Sequence, residues 1–193
     1  VEQDYLTAAI VWQEYGGFKV NGGGGGFVGG FAGGLGGAII EAIVKSLAGF
    51  SVYGDTLCGT GVYDLATTTT RKLSGKPSLS WANSVVFQAL HRHTKTICFA
   101  AEGHSSGPGT ETHLWELAFT AIRAPINGAN LYIPRHSRAR INASQTPLEP
   151  EWMYEVASAT IRSGLNRESA SDLLKAASER IEGRGPEEPS HIL

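Results

Sequence analysis

Cysteine is nearly absent. Cys58 and Cys98 are the whole complement, far apart in the chain and outside any C-x-x-C pair. That excludes a disulfide scaffold and fits a reducing compartment. Charge is sparse too: Asp, Glu, Lys and Arg make up 18% of the 193 residues, with a formal net charge of −2 and a pI near 6.3. There is no basic stripe of the kind that tracks a phosphate backbone, so nucleic acid is not expected as a partner. No apolar run approaches the roughly 20 residues of a membrane helix. The stretch from Ala38 to Leu47, for example, is interrupted by Glu41 and Lys45. The N-terminus carries acids and no basic segment, so no signal peptide is expected and a cytoplasmic location follows. The first residue is Val and the chain enters a helical pattern at once, which is the expectation for part of something longer.

What is abundant is glycine. Of 25 glycines, 13 lie between Gly16 and Gly37, so the excess is local. The apolar fraction of 41% is modest but sufficient for a core.

Periodicity predicts helices over Val1–Tyr15, Gly37–Ala48, Ser78–His93, Glu111–Arg123, Pro150–Ser163 and Glu168–Glu182. Short apolar runs predict strands at Phe18–Val20, Phe50–Tyr53, Thr96–Ala101 and Asn130–Ile133. Thr67–Gly75 reads as a loop, and Gly183–Leu193 as a loose acidic, Pro-containing tail. Short strands alternating with helices indicate parallel β-loop-α units, whose functional loops gather at the C-terminal ends of the strands. Four strands are about half of an eight-stranded barrel. The alternative is a small open, doubly wound sheet.

Several clusters are candidates for chemistry. The glycine tract from Gly22 to Gly37 could cradle phosphate ahead of a helix, but no Lys-Ser/Thr follows it and no acid closes the next strand. The plainer reading is a loop, or a segment packed closely against neighbouring backbone. The segment Glu102–Glu111 joins the clearest strand to the clearest helix and brings His104 together with two carboxylates. Either these groups do acid–base work, or Thr110 caps the helix, Glu111 complements its dipole and His104 is exposed. Glu116 lies about 140° around the helix from Glu111, and pattern alone favours solvent for it. His91 and His93 suit a helix C-terminus and are poorly spaced for one metal. Asp55, Cys58, Arg135 and His136 follow other strands without metal-site spacing.

At Phe31-Ala32-Gly33-Gly34, Gly107-Pro108-Gly109-Thr110-Glu111, Leu114-Trp115-Glu116 and Glu155-Val156-Ala157 the chain resembles the monomethylamine:corrinoid methyltransferases of methanogens. Thr70-Arg71 and Trp81 fall in register with these motifs. The resemblance implies an α/β fold, with residues 1–193 forming the C-terminal part, about half, of a (β/α)8 barrel and 183–193 its tail. It implies transfer of a methyl group from monomethylamine, or a related small methylated amine, to the cobalt of a corrinoid. That corrinoid is presented by a cognate partner protein, with no cofactor bound tightly by the chain and no metal site. A homo-oligomer is implied, as is a pyrrolysine upstream of Val1, so that the chain is not a complete catalytic unit and spans roughly the last two-fifths of a family protein. The site residues implied are Glu111 first, then Glu116, with His104 as helper. The family's paired acids after its aromatic-Ala-Gly-Gly motif correspond to Gly36 and Gly37 here, and a family Gln to Thr120. These departures leave two other readings open: a non-catalytic paralogue or scaffold subunit, and a small phosphate-binding α/β domain.

Overall fold

The computed structural model describes residues 7, 10–11, 14–15, 20–21, 25–53, 57–64, 77–94, 96–100, 104–132 and 146–184. In chain order the elements are β1 (Val20–Asn21), β2 (Gly26–Val28), α1 (Leu35–Tyr53), β3 (Leu57–Thr60), β4 (Val62–Asp64), α2 (Pro77–His93), β5 (Ile97–Ala100), α3 (Glu111–Ile126), α4 (Leu148–Arg162) and α5 (Arg167–Arg184). Of the first expected helix, Thr7, Ile10, Val11 and Glu14 are helical, and its other residues up to Glu14 lie outside the described set. So do Phe18, Lys19, the loop 67–75 and the tail from 185 onward.

Among the described residues all pairing is parallel. β1, β3 and β5 form one sheet in that order, and β2 pairs with β4 in a second. Gly61 alone separates β3 from β4. Beyond β5 the ladder continues as a single bridge, Phe99↔Asn130. Ala100 N–H donates to the Asn130 carbonyl at 3.0 Å and Asn130 N–H to the Cys98 carbonyl at 2.8 Å. The expected strand Asn130–Ile133 is therefore one bridge, with Ile133 outside the described residues. Strand order follows chain order, without the reversal of a doubly wound sheet.

Helices α1, α2 and α3 cover one face. Ala38, Ile39 and Ala42 of α1 meet Leu79, Ala82, Val86 and Leu90 of α2 over Val62 and Cys98. Two residues along β5, and so on the same face, Ala100 packs with Phe87 of α2 and Ala124 of α3. α3 is enclosed further by α4 through Leu117, Ala121, Met153 and Ala157, and by α5 through Phe119, Ala177 and Ile181.

Three expectations are corrected. Phe50–Tyr53 is the last turn of α1, not a strand. Its aromatic and β-branched residues favour a strand, and Gly49 just before it reads as a stop. The helix instead runs through Gly49, which is buried. An interior glycine costs a helix only about 1 kcal/mol, an amount that tertiary packing readily overrides. The strands are Leu57–Thr60 and Val62–Asp64, hidden from pattern by Gly59 and Gly61. Gly183 does not stop the last helix, which runs to Arg184, where the guanidinium is paired with Glu111 at 2.7 Å. Cys58 and Cys98, distant in sequence, sit opposite one another on β3 and β5, both buried and reduced. Burial first, and the neighbouring Cys58 second, push the Cys98 thiol up to about 12, so this thiol is not poised as a nucleophile.

Candidate functional site

The segment 104–109 leaves the C-terminal end of β5 and turns into α3. Thr110 is the N-cap: it is extended (φ −96°, ψ 149°), and its hydroxyl accepts from His113 N–H at 3.2 Å while donating to the Gly107 carbonyl at 2.7 Å. Gly109 precedes it at φ +73°, a conformation that side chains resist. The cap fixes where α3 begins and therefore which side chains face the loop. Thr110→Ala is expected to lower stability by about 1 kcal/mol, as read by urea denaturation.

Down from the cap, His113, Glu116 and Thr120 recur at helical spacing, and all are buried. The Glu116 carboxylate is the centre. Oε1 accepts from Ser105 N–H at 3.0 Å and from the Ser105 hydroxyl, and Oε2 accepts from Ser106 N–H at 3.0 Å. His113 Nδ1 lies 3.6 Å from Oε2. His104 Nε2 is 3.2 Å from the Thr120 hydroxyl, and its ring meets His113 edge to face at 5.4 Å. Burial pushes the Glu116 carboxyl upward. The His113 ring, the charge of His104, the Ser105 hydroxyl and the Ser106 N–H together outweigh it and hold the group below its ordinary value of 4.5. The result is a buried carboxylate between two imidazoles, side chains of the types that carry acid–base chemistry.

A second buried acid anchors the same loop from below. Glu149, in the first turn of α4, accepts from Gly109 N–H at 3.0 Å, Thr146 N–H at 2.7 Å and the Thr146 hydroxyl at 2.6 Å. Burial raises its carboxyl, and these donors bring it below the ordinary value. Glu149 thus reaches back to Thr146 as in one half of a capping box, while the Thr146 hydroxyl accepts from Leu148 N–H at 3.3 Å.

The structure brings His104 and Glu116 together and leaves Glu111 apart. Glu111 stands on the outer side of α3 with its side chain 51% exposed, paired to Arg184 of α5 and accepting from Trp115 Nε1–H at 3.4 Å. The 140° separation holds, but the assignment of sides is reversed: Glu116 is fully buried and Glu111 faces out. His104 is buried rather than exposed. His113, Ser105, Ser106 and Glu149 escaped sequence reasoning. The signal for the first was the helical spacing of His113, Glu116 and Thr120 along one side of α3.

Other candidates do not converge on this cluster. His91 and His93 are exposed at the end of α2, and Asp55, Arg135 and His136 lie outside the described residues. Among the described residues no group of three or more His, Cys, Asp or Glu is arranged to hold a metal, and no helix is long and apolar enough to cross a membrane. In the glycine tract, the N–H groups of Gly29, Gly30 and Gly33 bond to carbonyls of Gly33, Phe27 and Gly30, so they are not presented to an anion. At Gly36 and Gly37 the backbone differs in room. A side chain on Gly36 meets open space, whereas a Cβ on Gly37 would lie 1.9 Å from the Ala32 carbonyl oxygen.

No protein-family model and no characterised protein sequence matches the chain. Two solved structures do. One is the monomethylamine methyltransferase (MtmB) of Methanosarcina barkeri, at TM-score 0.78 and 14% identity over 95% of this chain. The other is an MtmB complex with hydroxylamine, with the same score, identity and coverage. In each case this chain spans 40% of the matched chain's length. Over nearly all of its own length, the chain has the fold of part of a monomethylamine methyltransferase.

Proposed function

We propose that the chain is an arc of a (β/α)8 barrel in a methyltransferase that moves the methyl group of monomethylamine, or a related small amine, to a corrinoid protein. The fold shared with the MtmB structures over 95% of the chain carries this reading. The sequential parallel order β1/β2, β3/β4, β5 and Asn130, with helices on one face, is what such an arc requires. Catalysis would need the rest of the barrel, a homo-oligomer is the expected assembly, and the cytoplasm the expected location.

In the proposed reaction a reduced cobalt on the partner protein would supply the electron pair that takes the methyl group, the C–N bond would break, and nitrogen would leave with the bonding electrons. A neutral amine leaves readily only when a proton reaches nitrogen. The buried His104–Glu116–His113 group, beneath the loop at the strand ends, brings two imidazoles and a carboxylate together for acid–base work of that kind. Glu116 also fixes the loop through Ser105 and Ser106. We assign Glu111 the tie between α3 and α5 instead.

The test uses the protein together with the sequence that precedes Val1 in its gene. Incubated with monomethylamine and a reduced corrinoid protein, it is expected to form methyl-cobalt, followed by visible absorption. Corrinoid-protein binding without transfer would establish the scaffold reading, which the close packing at Gly37 favours. Neither binding nor transfer would overturn both.

A further inference from the structure

We propose that Glu149 is a positioning residue that couples two neighbouring loops at the strand ends, the loop 104–109 after β5 and the segment entering α4 at Thr146, so that they open and close as one. The two loops follow strands that lie side by side, since Phe99 of β5 is bridged to Asn130. The Glu149 carboxylate stands between them with one oxygen on each. Oε1 accepts from Gly109 N–H, 40 residues away in the chain, and Oε2 accepts from the N–H and the hydroxyl of Thr146.

The Thr146 contact is a local helix cap, and it needs only one oxygen. The Gly109 contact reaches into another β-loop-α unit. Within that unit the loop is tied at Ser105 and Ser106 by Glu116 of α3, and at the Gly107 carbonyl by the Thr110 hydroxyl. Glu149 adds a tie from the next unit, at the residue just before the N-cap. A displacement of Gly109 would pass to Thr110, whose hydroxyl also holds His113 N–H, and from there to the His113–Glu116 contact.

Glu149 is fully buried, and its donors hold the carboxyl below the ordinary value of 4.5, so both oxygens accept at neutral pH. A glutamine in its place has one acceptor oxygen and an NH2 group that would confront an N–H donor, so one loop must let go. The docking of α4 does not depend on the carboxylate. Met153 and Ala157 pack on Leu117 and Ala121, and Trp152 Nε1–H donates to the Leu114 carbonyl at 2.9 Å. Loss of coupling is therefore separable from loss of the helix. The consequence for catalysis rests on the methyltransferase reading, because the loop so held carries His104; the coupling itself does not.

The experiment uses the protein with the sequence that precedes Val1 and follows residue-resolved hydrogen exchange. In the wild type, Gly109 and Thr146 N–H are expected to show matching protection and the same urea dependence, as a single opening event requires. In Glu149→Gln, the Ser105 and Ser106 amides, which bond to Glu116, are expected to exchange about tenfold faster or more, with the Trp152 indole N–H near wild type. The same variant is expected to lower kcat for methyl transfer by about tenfold or more, with KM for monomethylamine within about twofold. Rapid exchange at Thr146 while Gly109 stays protected in the wild type, a readout that needs no variant, overturns the coupling. So does a variant in which Ser105 and Ser106 exchange as before. Lost coupling with unchanged kcat overturns the positioning role. A wild-type protein that moves no methyl group overturns the methyltransferase reading, while the exchange measurements decide the coupling by themselves.

Discussion

Glu116→Ala is expected to lower the stability of the chain by about 3–5 kcal/mol at neutral pH, the usual cost of removing one member of a buried charged group. The alanine strands the Ser105 and Ser106 N–H groups, the Ser105 hydroxyl and the neighbouring His113 without their common acceptor. Each stranded donor in a dry site costs on the order of 1–3 kcal/mol, and partial relaxation of the loop keeps the total below their sum. Glu116→Gln retains the shape and one acceptor and is expected to lose less. The pH dependence carries the sign. The Glu116 carboxyl is depressed in the fold, so its contribution is complete above the ordinary value of 4.5 and is lost as pH falls through the lower folded value. Glu41 and Glu149 are depressed too and act in the same window. The difference between wild type and Glu116→Gln therefore isolates Glu116: the gap should be constant above about pH 5 and close below it. Urea denaturation across pH 3–7 measures it, and a gap that does not narrow in acid would refute the buried-anion account.

Gly26→Ala is the second large effect. The added methyl carbon would sit 1.7 Å from the Ala38 carbonyl oxygen and 3.0 Å from the Ala42 backbone nitrogen. Those atoms belong to the helix backbone and cannot rotate aside, so α1 must lift from β2. Overpacking of side chains costs about 1–3 kcal/mol, and displacement of a whole helix belongs at or above the top of that range. The core residues Ala38, Ile39 and Ala42 would lose contact with Val62 and Val86 together. Thermal unfolding is expected to shift down by several degrees. Gly36→Ala is the control. Its Cβ meets nothing within 4 Å, and alanine is the better helix former, so that variant should be neutral or slightly stabilised.

Long periodic segments were legible because burial on one face leaves a stripe in the chain itself. α2, α4 and α5 lie within two residues of expectation, and α3 runs three residues further, through Pro125. β5 was legible because Ile97 to Ala100 is a continuous apolar run. β3 and β4 were not, because glycines at 59 and 61 remove the side chains that alternation needs. Asn130 was expected to begin a strand and closes only one bridge, since pairing depends on where β5 ends. For Glu116, pattern alone favoured solvent. A single acid between Trp115 and Leu117 does not show that a loop will fold back over it with two backbone N–H groups aimed at its oxygens.

By itself the sequence determined the parallel α/β class and the start of α3 at Thr110. Each is local, written in spacing and residue type. Only the tertiary structure decided which side of α3 is inside, that Glu111 faces Arg184 while Glu116 joins His104 and His113, and that Cys58 stands opposite Cys98. A helix offers several faces, and the elements packed against α3, namely α4, α5 and the loop 104–109, settle which one stays dry. Their positions depend on pairings between residues far apart in the chain, which no local pattern records.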